Sequence, residues 1–198
     1  MSIYSSSHWA AYRVTRASIG TTKGYKRQWI KDPLLDPKDR LVKEDFRGVS
    51  EPDKYSRGHV VPLASFAGTE YWRETFYLSN ATPQKSALNN GVWNKLENRI
   101  RKMAYELDGV NVLTGTLYER SLNPLPNSNT AHIVPSGYWK VVVKNNKAIG
   151  FLMDQDIPSK GEVCVAIVEL SEIEKRAGLE LFPAGNLVGN LERSKVGC

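Results

Sequence analysis

The sequence predicts an α+β domain. Strand-like segments dominate it, at the end of the Ser-rich stretch 2–15 and again at 110–118, 137–143, 148–153 and 163–169. The helices do not alternate with these strands in a regular βαβ order, and the strongest amphipathic pattern, 87–106, falls between the first strand and the rest. No internal repeat, low-complexity block or linker divides the 198 residues, so 1–198 reads as one domain. A chain of this length buries about 70% of its unfolded surface, enough to fold without a metal or a disulfide.

The elements follow in order. Trp9, Ala11 and Val14 sit among polar residues, and Tyr12, Val14 and Thr15 favour extended backbone. Gly20–Gly24 reads as a turn, and 25–31 is short and basic. Residues 32–53 carry Asp32-Pro33, Asp36-Pro37, Gly48 and Glu51-Pro52 and read as a long surface excursion. Val60–Phe66 is apolar, Glu70–Tyr77 suits a short helix, and Phe76-Tyr77-Leu78 a strand edge. In 87–106, Leu88, Val92, Trp93, Leu96, Ile100 and Met103 recur at three- and four-residue steps, the mark of a one-sided helix. Asn145-Asn146 breaks the strands 137–143 and 148–153 as a hairpin turn does. Ser171 and Glu174 read as a capping box for a helix ending at Gly178, and 183–198 as a Gly-rich tail.

A hydrophobic share of 41% and a charged share of 24% belong to a folded chain and exclude intrinsic disorder. No apolar run reaches the length of a spanning helix, so no membrane partner is expected. The net charge of +6 points weakly toward a polyanion. A phosphate loop, His-Glu-x-x-His, Cys-x-x-Cys and Gly-x-Ser-x-Gly are all absent.

The chemistry concentrates in 55–65 and 77–97. His59 suits a general base near neutral pH. Arg57 offers a fixed fork for phosphate oxygens. Asn89 presents a hard oxygen suited to Mg²⁺. Trp93 and Glu97 follow Asn89 at four-residue steps, broadly on one helix face. Singly, each has an ordinary use: a packed histidine, a surface arginine, a solvated helix face, and for Asn80-Ala81-Thr82 a glycosylation sequon. Together they are the parts of metal-assisted phosphodiester hydrolysis.

Eight motifs in order complete the picture: AYRVT at 11–15, KRQW followed by DP, RGH-x-x-PLAS, LSNATPQKS-x-LN-x-G-x-W-x-x-LE, TG-x-LYER, AH-x-x-PS-x-YWKV, DQ-x-x-P and EIEKR-x-GL. This series resembles the DNA/RNA non-specific endonucleases, the ββα-metal nucleases that include endonuclease G and a secreted bacterial branch, and it sits nearest that branch. The resemblance implies a ββα-metal finger on a mixed or antiparallel sheet core with flanking helices. It implies a Mg²⁺-dependent, sugar-non-specific endonuclease leaving 5′-phosphate ends, with Mn²⁺ as a second admissible ion. His59 would take a proton from the attacking water. Asn89 would be the one direct protein ligand of the metal, with Glu97 and Asn80 acting on it through water. Arg57 and Arg27 would face the phosphate, Gln84 would support the geometry, and Arg101 would sit at the rim. Phosphate contacts position and base contacts specify, so DNA and RNA, double- and single-stranded, are the expected partners.

The family's usual motif is Asp-Arg-Gly-His, and position 56 here is Ser. Loss of that negative charge should lower the His59 pKa. It leaves two alternatives open, a nucleic-acid-binding module with little turnover and a 5′-exonuclease-like variant. A nucleotide phosphatase is a more distant one. Cys164 and Cys198 fall where the bacterial branch places a disulfide. That pairing implies an oxidising compartment, secreted or periplasmic, with the chain read as a mature form without its signal peptide. An inhibitor protein and a second copy of the chain are the further partners the resemblance admits.

Overall fold

The computed structural model describes residues 8–36, 41–49, 55–129, 132–183 and 187–198. Pro37 and the Glu51-Pro52 turn lie outside these. The main sheet has six strands: β1 (Trp9–Val14), β4 (Val110–Leu117), β5 (Gly137–Lys144), β6 (Lys147–Asp154) and β7 (Ile167–Val168) in that order, all antiparallel, with β8 (Gly189–Asn190) parallel on β6. Asn145 and Asn146 both take positive φ, the backbone of the tight turn joining β5 to β6. β1 pairs directly with β4. The chain between them, 15–109, is thus one long excursion on the sheet, and it carries every chemistry-bearing residue named above except the cysteines.

Within that excursion β2 (Tyr55–His59) pairs antiparallel with β3 (Ala81–Lys85), and the chain then enters α1 (Ser86–Leu88), a π-turn at Asn89–Trp93 and α2 (Asn94–Glu106). This is the ββα arrangement. Leu96, Ile100, Met103 and Ala104 of α2 pack on Val14, Val112, Tyr138, Val142 and Phe151 of the sheet. The other sheet face, with Trp139, Val141 and Leu152, is covered by α3 (Leu170–Ala177) and the segment after it.

The excursion 32–53 is not all surface. Leu41 and Phe46 are buried with Tyr55, Leu78, Ala81 and Leu125 in a second small core beneath the ribbon. Phe46 arrives on a 3-10 turn, Lys43–Phe46, that proline spacing did not foretell.

Three further expectations change. The helix expected over 87–106 is broken at Gly91, whose backbone leaves helical geometry at φ −96°, ψ −115°. A Cβ there would come within 2.6 Å of the Ser159 carbonyl oxygen. In 163–169 only Ile167–Val168 is strand. Val163–Ala166 is 3-10, a geometry that eclipses positions three apart and so buries Val163 and Ala166 together while Val165 is exposed. An all-apolar run has no period to reveal this. α3 begins at Leu170, not after Ser171, and no side chain caps it. The Glu174 carboxylate instead accepts from the Leu181 and Phe182 amides at 2.9 and 3.3 Å, holding the segment that follows the helix. Gly178 closes the helix in the left-handed conformation as expected.

The tail is docked rather than loose. Leu191 and Val196 enter the α2-side core. Cys164 and Cys198 form a disulfide across 34 residues of sequence. Arg99 of α2 donates to the carbonyls of Val196 and Gly197 at 3.0 and 3.3 Å, so the bridge braces the helix that lines the site. Closing a loop of this length stabilises by about 4 kcal/mol in the chain-entropy account. Cys164→Ala/Cys198→Ala is therefore expected to lose about 3–4 kcal/mol in urea unfolding, with a somewhat larger m-value because the uncrosslinked denatured chain exposes more surface. A loss under about 1 kcal/mol would mean the packed tail holds the end unaided.

Candidate active site

β2 sets the first half of the site. Successive side chains on a strand point to opposite faces, so Arg57 and His59 share one side. Gly58 between them is dictated by packing. It lies against Gln84, and a Cβ at Gly58 would come within 2.4 Å of Gln84 Oε1. The Gln84 amide is buried with neither polar atom hydrogen-bonded.

Two buried side chains hold the ribbon to the main sheet. The Tyr138 hydroxyl and Gln155 Nε2 both donate to the Pro83 carbonyl, each at 2.9 Å. Gln155 Oε1 accepts from the Lys85 amide at 2.8 Å. Asn80 secures the ribbon's other end. Its Oδ1 accepts from the Val61 amide, and its Nδ2 donates to the carbonyls of Val61 and Thr75, all at 2.9 Å. The two sequence-predicted residues that do not line the cleft are thus Asn80 and Gln84. Asn80 spends its amide on backbone two residues beyond His59, and that use also sets aside the sequon.

The second half comes from the helix. α2 turns Asn94, Glu97, Asn98 and Arg101, at steps of three and four, toward β2. Asn89 and Asn90 reach the same space from the π-turn. An extra residue in a helical turn shifts the register of all that precedes it, and such turns recur at functional sites. Between ribbon and helix opens a cleft of about 770 Å³ lined by Arg27, Ser56, Arg57, His59, Asn89, Glu97 and Arg101, with Trp29 and Phe46 on its wall.

His59 stands against rings, with Trp29 centred 4.6 Å and Phe76 5.6 Å away. Burial, helped by the positive charge of Arg27, lowers its pKa to about 4. The imidazole is therefore neutral at physiological pH, and its Nε2 is buried without a hydrogen-bond partner. The causes of this lowering are desolvation and Arg27, and Ser56 is not among them. Arg57 lies over the Phe46 ring at 5.2 Å and reaches the Lys43 carbonyl at 3.4 Å. Arg57 Nε and Arg101 Nη1 are likewise buried and unpartnered, while Arg101 Nη2 donates to Asn98 Oδ1 at 2.6 Å. Buried polar groups are normally satisfied, so three such atoms at one cleft mark a place for a ligand. Ser56 and Ser86 hydroxyls share a hydrogen bond of 2.6 Å, which ties β2 to the start of the helix.

Burial raises the Glu97 carboxyl pKa, and the charges of Lys140 and Arg101 act against that rise. Asn89 and Glu97 are among the hard oxygen donors of the cleft, beside Asn90, Asn94 and Asn98. Among the described residues no three His, Cys, Asp or Glu gather as a metal cage. An ion that keeps most of its own waters, as Mg²⁺ does, fits this sparse donor set.

Sequence reasoning missed several contributors, among them the Phe76 ring beside His59. Phe46 carried no signal. Asn94 and Asn98 could have been found by stepping four residues from Asn90. Lys140 was read only as part of a strand.

Comparison with known proteins identifies the family. Residues 3–186 match the DNA/RNA non-specific endonuclease family. The chain belongs to that family. The nuclease is 43% identical over 182 residues to a nuclease of Serratia marcescens, covering 88% of this chain and 68% of that one. It is 30% identical over 195 residues to nuclease C1 of Cunninghamella echinulata var. echinulata, covering 88% and 75%. With human mitochondrial nuclease EXOG it shares 26% over 196 residues, 88% of this chain but 52% of that one. Its fold matches a chain of the solved EndoG/EndoGI complex with a TM-score of 0.77 at 24% identity, covering 92% of this chain and 82% of that chain.

The state of His59 in the nuclease is directly measurable. Its imidazole NMR signals are expected to titrate with a midpoint near 4. A midpoint at about 6 or above would mean the ring is solvated. Asn80→Ala is expected to destabilise by about 2 kcal/mol, because it strands the Val61 amide and two carbonyls. Equal urea midpoints for variant and parent would discount that anchor.

Proposed function

We propose that this nuclease is a Mg²⁺-dependent endonuclease that hydrolyses phosphodiester bonds of DNA and RNA without reading the sugar, leaving 5′-phosphate and 3′-hydroxyl ends. The observation that carries the reading is a neutral His59 with an unpartnered nitrogen, in one cleft with Arg27, Arg57 and Arg101.

His59 is the general base. Held neutral by burial, it accepts a proton from the water that attacks phosphorus in line. The aromatic wall of Trp29 and Phe76 limits the rotation of the ring and keeps bulk water off it. Arg57 and Arg27 bind the phosphate and meet the charge that builds on it. Arg101 extends this clamp from α2. Asn89 would hold the ion directly and Glu97 would order water beside it. Mg²⁺ bound there would act as a Lewis acid toward the phosphate and ease departure of the 3′-oxygen. Asn80 acts as a positioning residue through Val61. Ser56, bonded to Ser86, takes the structural part of an acidic residue without its charge.

None of these groups is arranged to read a base edge, which supports a broad substrate range. The disulfide supports an oxidising compartment, secreted or periplasmic. No helix among the described residues is long and apolar enough to cross a membrane. The same open, cationic cleft would accept an acidic inhibitor protein. The relative solved as the EndoG/EndoGI complex makes that the second partner class to test.

Covalently closed plasmid is the decisive substrate, because it offers no end to an exonuclease. Incubation with Mg²⁺ is expected to nick and then degrade it, and EDTA to abolish this. His59→Ala should be slower by about 10²–10⁴-fold with its fold intact. Asn89→Ala should need about ten-fold more Mg²⁺ for half-maximal rate. Intact plasmid beside shortened linear DNA would support the exonuclease reading. Binding without cleavage of either would overturn the mechanism.

A further inference from the structure

The Arg57 side chain is long and rich in rotamers, and β2 by itself fixes only where it starts. Two contacts orient its guanidinium at the cleft. It lies over the Phe46 ring at 5.2 Å, and Nη2 donates to the Lys43 carbonyl at 3.4 Å. Both partners come from a single 3-10 turn, Lys43–Phe46. One such turn has poor hydrogen-bond geometry and is too short to persist alone. Where the guanidinium points therefore depends on what holds the turn.

Asp45 lies inside that turn and is 2% exposed. A carboxylate is almost never so buried unless its oxygens are answered. Here Oδ2 accepts from the Val42 amide at 2.7 Å, which closes the turn on its own entry. Oδ1 accepts from the Ser128 hydroxyl at 3.0 Å, which ties the turn to a loop 83 residues further along the chain. Asn127 of that loop donates to the Arg47 carbonyl at 2.9 Å, just past Phe46. Leu125 of the loop shares the second small core with Leu41, Phe46 and Tyr55. The loop thus grips the turn on both sides of the Phe46 ring, and Asp45 joins the two.

We propose that Asp45 is a positioning residue for phosphodiester hydrolysis: by stapling its turn to Val42 and to Ser128, it holds the Lys43 carbonyl and the Phe46 ring where they aim the Arg57 guanidinium into the cleft. It acts on substrate only through Arg57. The inference rests on the reading of Arg57 as a phosphate clamp.

The test is a double-mutant cycle of Asp45→Ala and Arg57→Ala on the full chain, read as kcat/KM on plasmid DNA with Mg²⁺ at a temperature where every variant is folded. Asp45→Ala is expected to lower kcat/KM about ten-fold, because a displaced clamp meets the phosphate poorly. In the Arg57→Ala background the same step should change it by less than about two-fold. Asp45→Asn should recover most of the loss. Its Oδ1 can still accept from the Val42 amide, and its Nδ2 can donate to the Ser128 hydroxyl, which accepts as readily as it donates. NMR of the metal-free protein gives a readout apart from activity. Arg57 side-chain protons over the Phe46 ring should be shifted upfield, and Asp45→Ala but not Asp45→Asn should return them toward the values of a free arginine. An equal loss of kcat/KM in both backgrounds would overturn the proposal, as would unmoved Arg57 signals in Asp45→Ala. If Asp45→Ala does not fold, Ser128→Ala decides, since it removes one of the two staples from outside the turn. A loss of activity that vanishes with Ala at 57 supports the proposal, and full activity overturns it. A fully active Arg57→Ala would overturn the reading of Arg57 itself, while the NMR shifts decide separately whether Asp45 holds it.

Discussion

The Pro83 carbonyl accepts two hydrogen bonds from buried side chains, Tyr138 of β5 and Gln155 just past β6, and the catalytic ribbon hangs on them. A two-stranded ribbon is barely stable alone in water. Here one of its strands is fastened to buried side chains of the main sheet and of the residue just past it. Pro83 stands opposite Arg57 in the ribbon register, and Ala81 opposite His59. Fixing β3 therefore fixes where the base and the phosphate clamp stand relative to α2. α2 rests on the same β5 through its own apolar face, so both halves of the cleft share one foundation.

That foundation also organises charge. A net +6 over the whole chain is unremarkable. What matters is that three arginines converge on one cleft while a fourth cation, Lys140, lies buried in the protein. A low-dielectric wall concentrates such a field, which draws in a polyanion and disfavours a positive charge on the imidazole. Burial first, and the charge of Arg27 second, keep the histidine base neutral and ready. An acidic residue at 56 would partly offset that effect; Ser56 provides only a hydroxyl, spent on Ser86.

The π-turn shows how local irregularity serves the site. A regular helix through 86–106 would need a Cβ-tolerant path past Ser159 and would phase Asn89 with the apolar positions differently. Gly91 lets the chain pass close to Ser159, and Asn89 reaches the cleft while Val92 and Trp93 enter the core.

Much of this was legible beforehand. The α+β class, β1, β4 and the β5–β6 hairpin follow from alternation and helical steps, because these are properties of neighbours in the chain, while the ββα ribbon and several site residues were implied only by the resemblance of the motif series to its family. Seven of the nine residues assigned to the cleft meet there: Arg27, Ser56, Arg57, His59, Asn89, Glu97 and Arg101. Asn80 and Gln84 do not, because an amide side chain carries no mark of whether it will face a ligand or its own backbone. The 3-10 turns at Lys43–Phe46 and Val163–Ala166, the docking of the tail and the start of α3 depend on which distant surface each segment covers. The same holds for the neutral state of His59 and the burial of Lys140. The sequence by itself determined which chemical groups are present and which local periods they follow. Tertiary structure decided which of them are desolvated and which charges face each other, because burial and through-space fields arise between residues far apart in the chain.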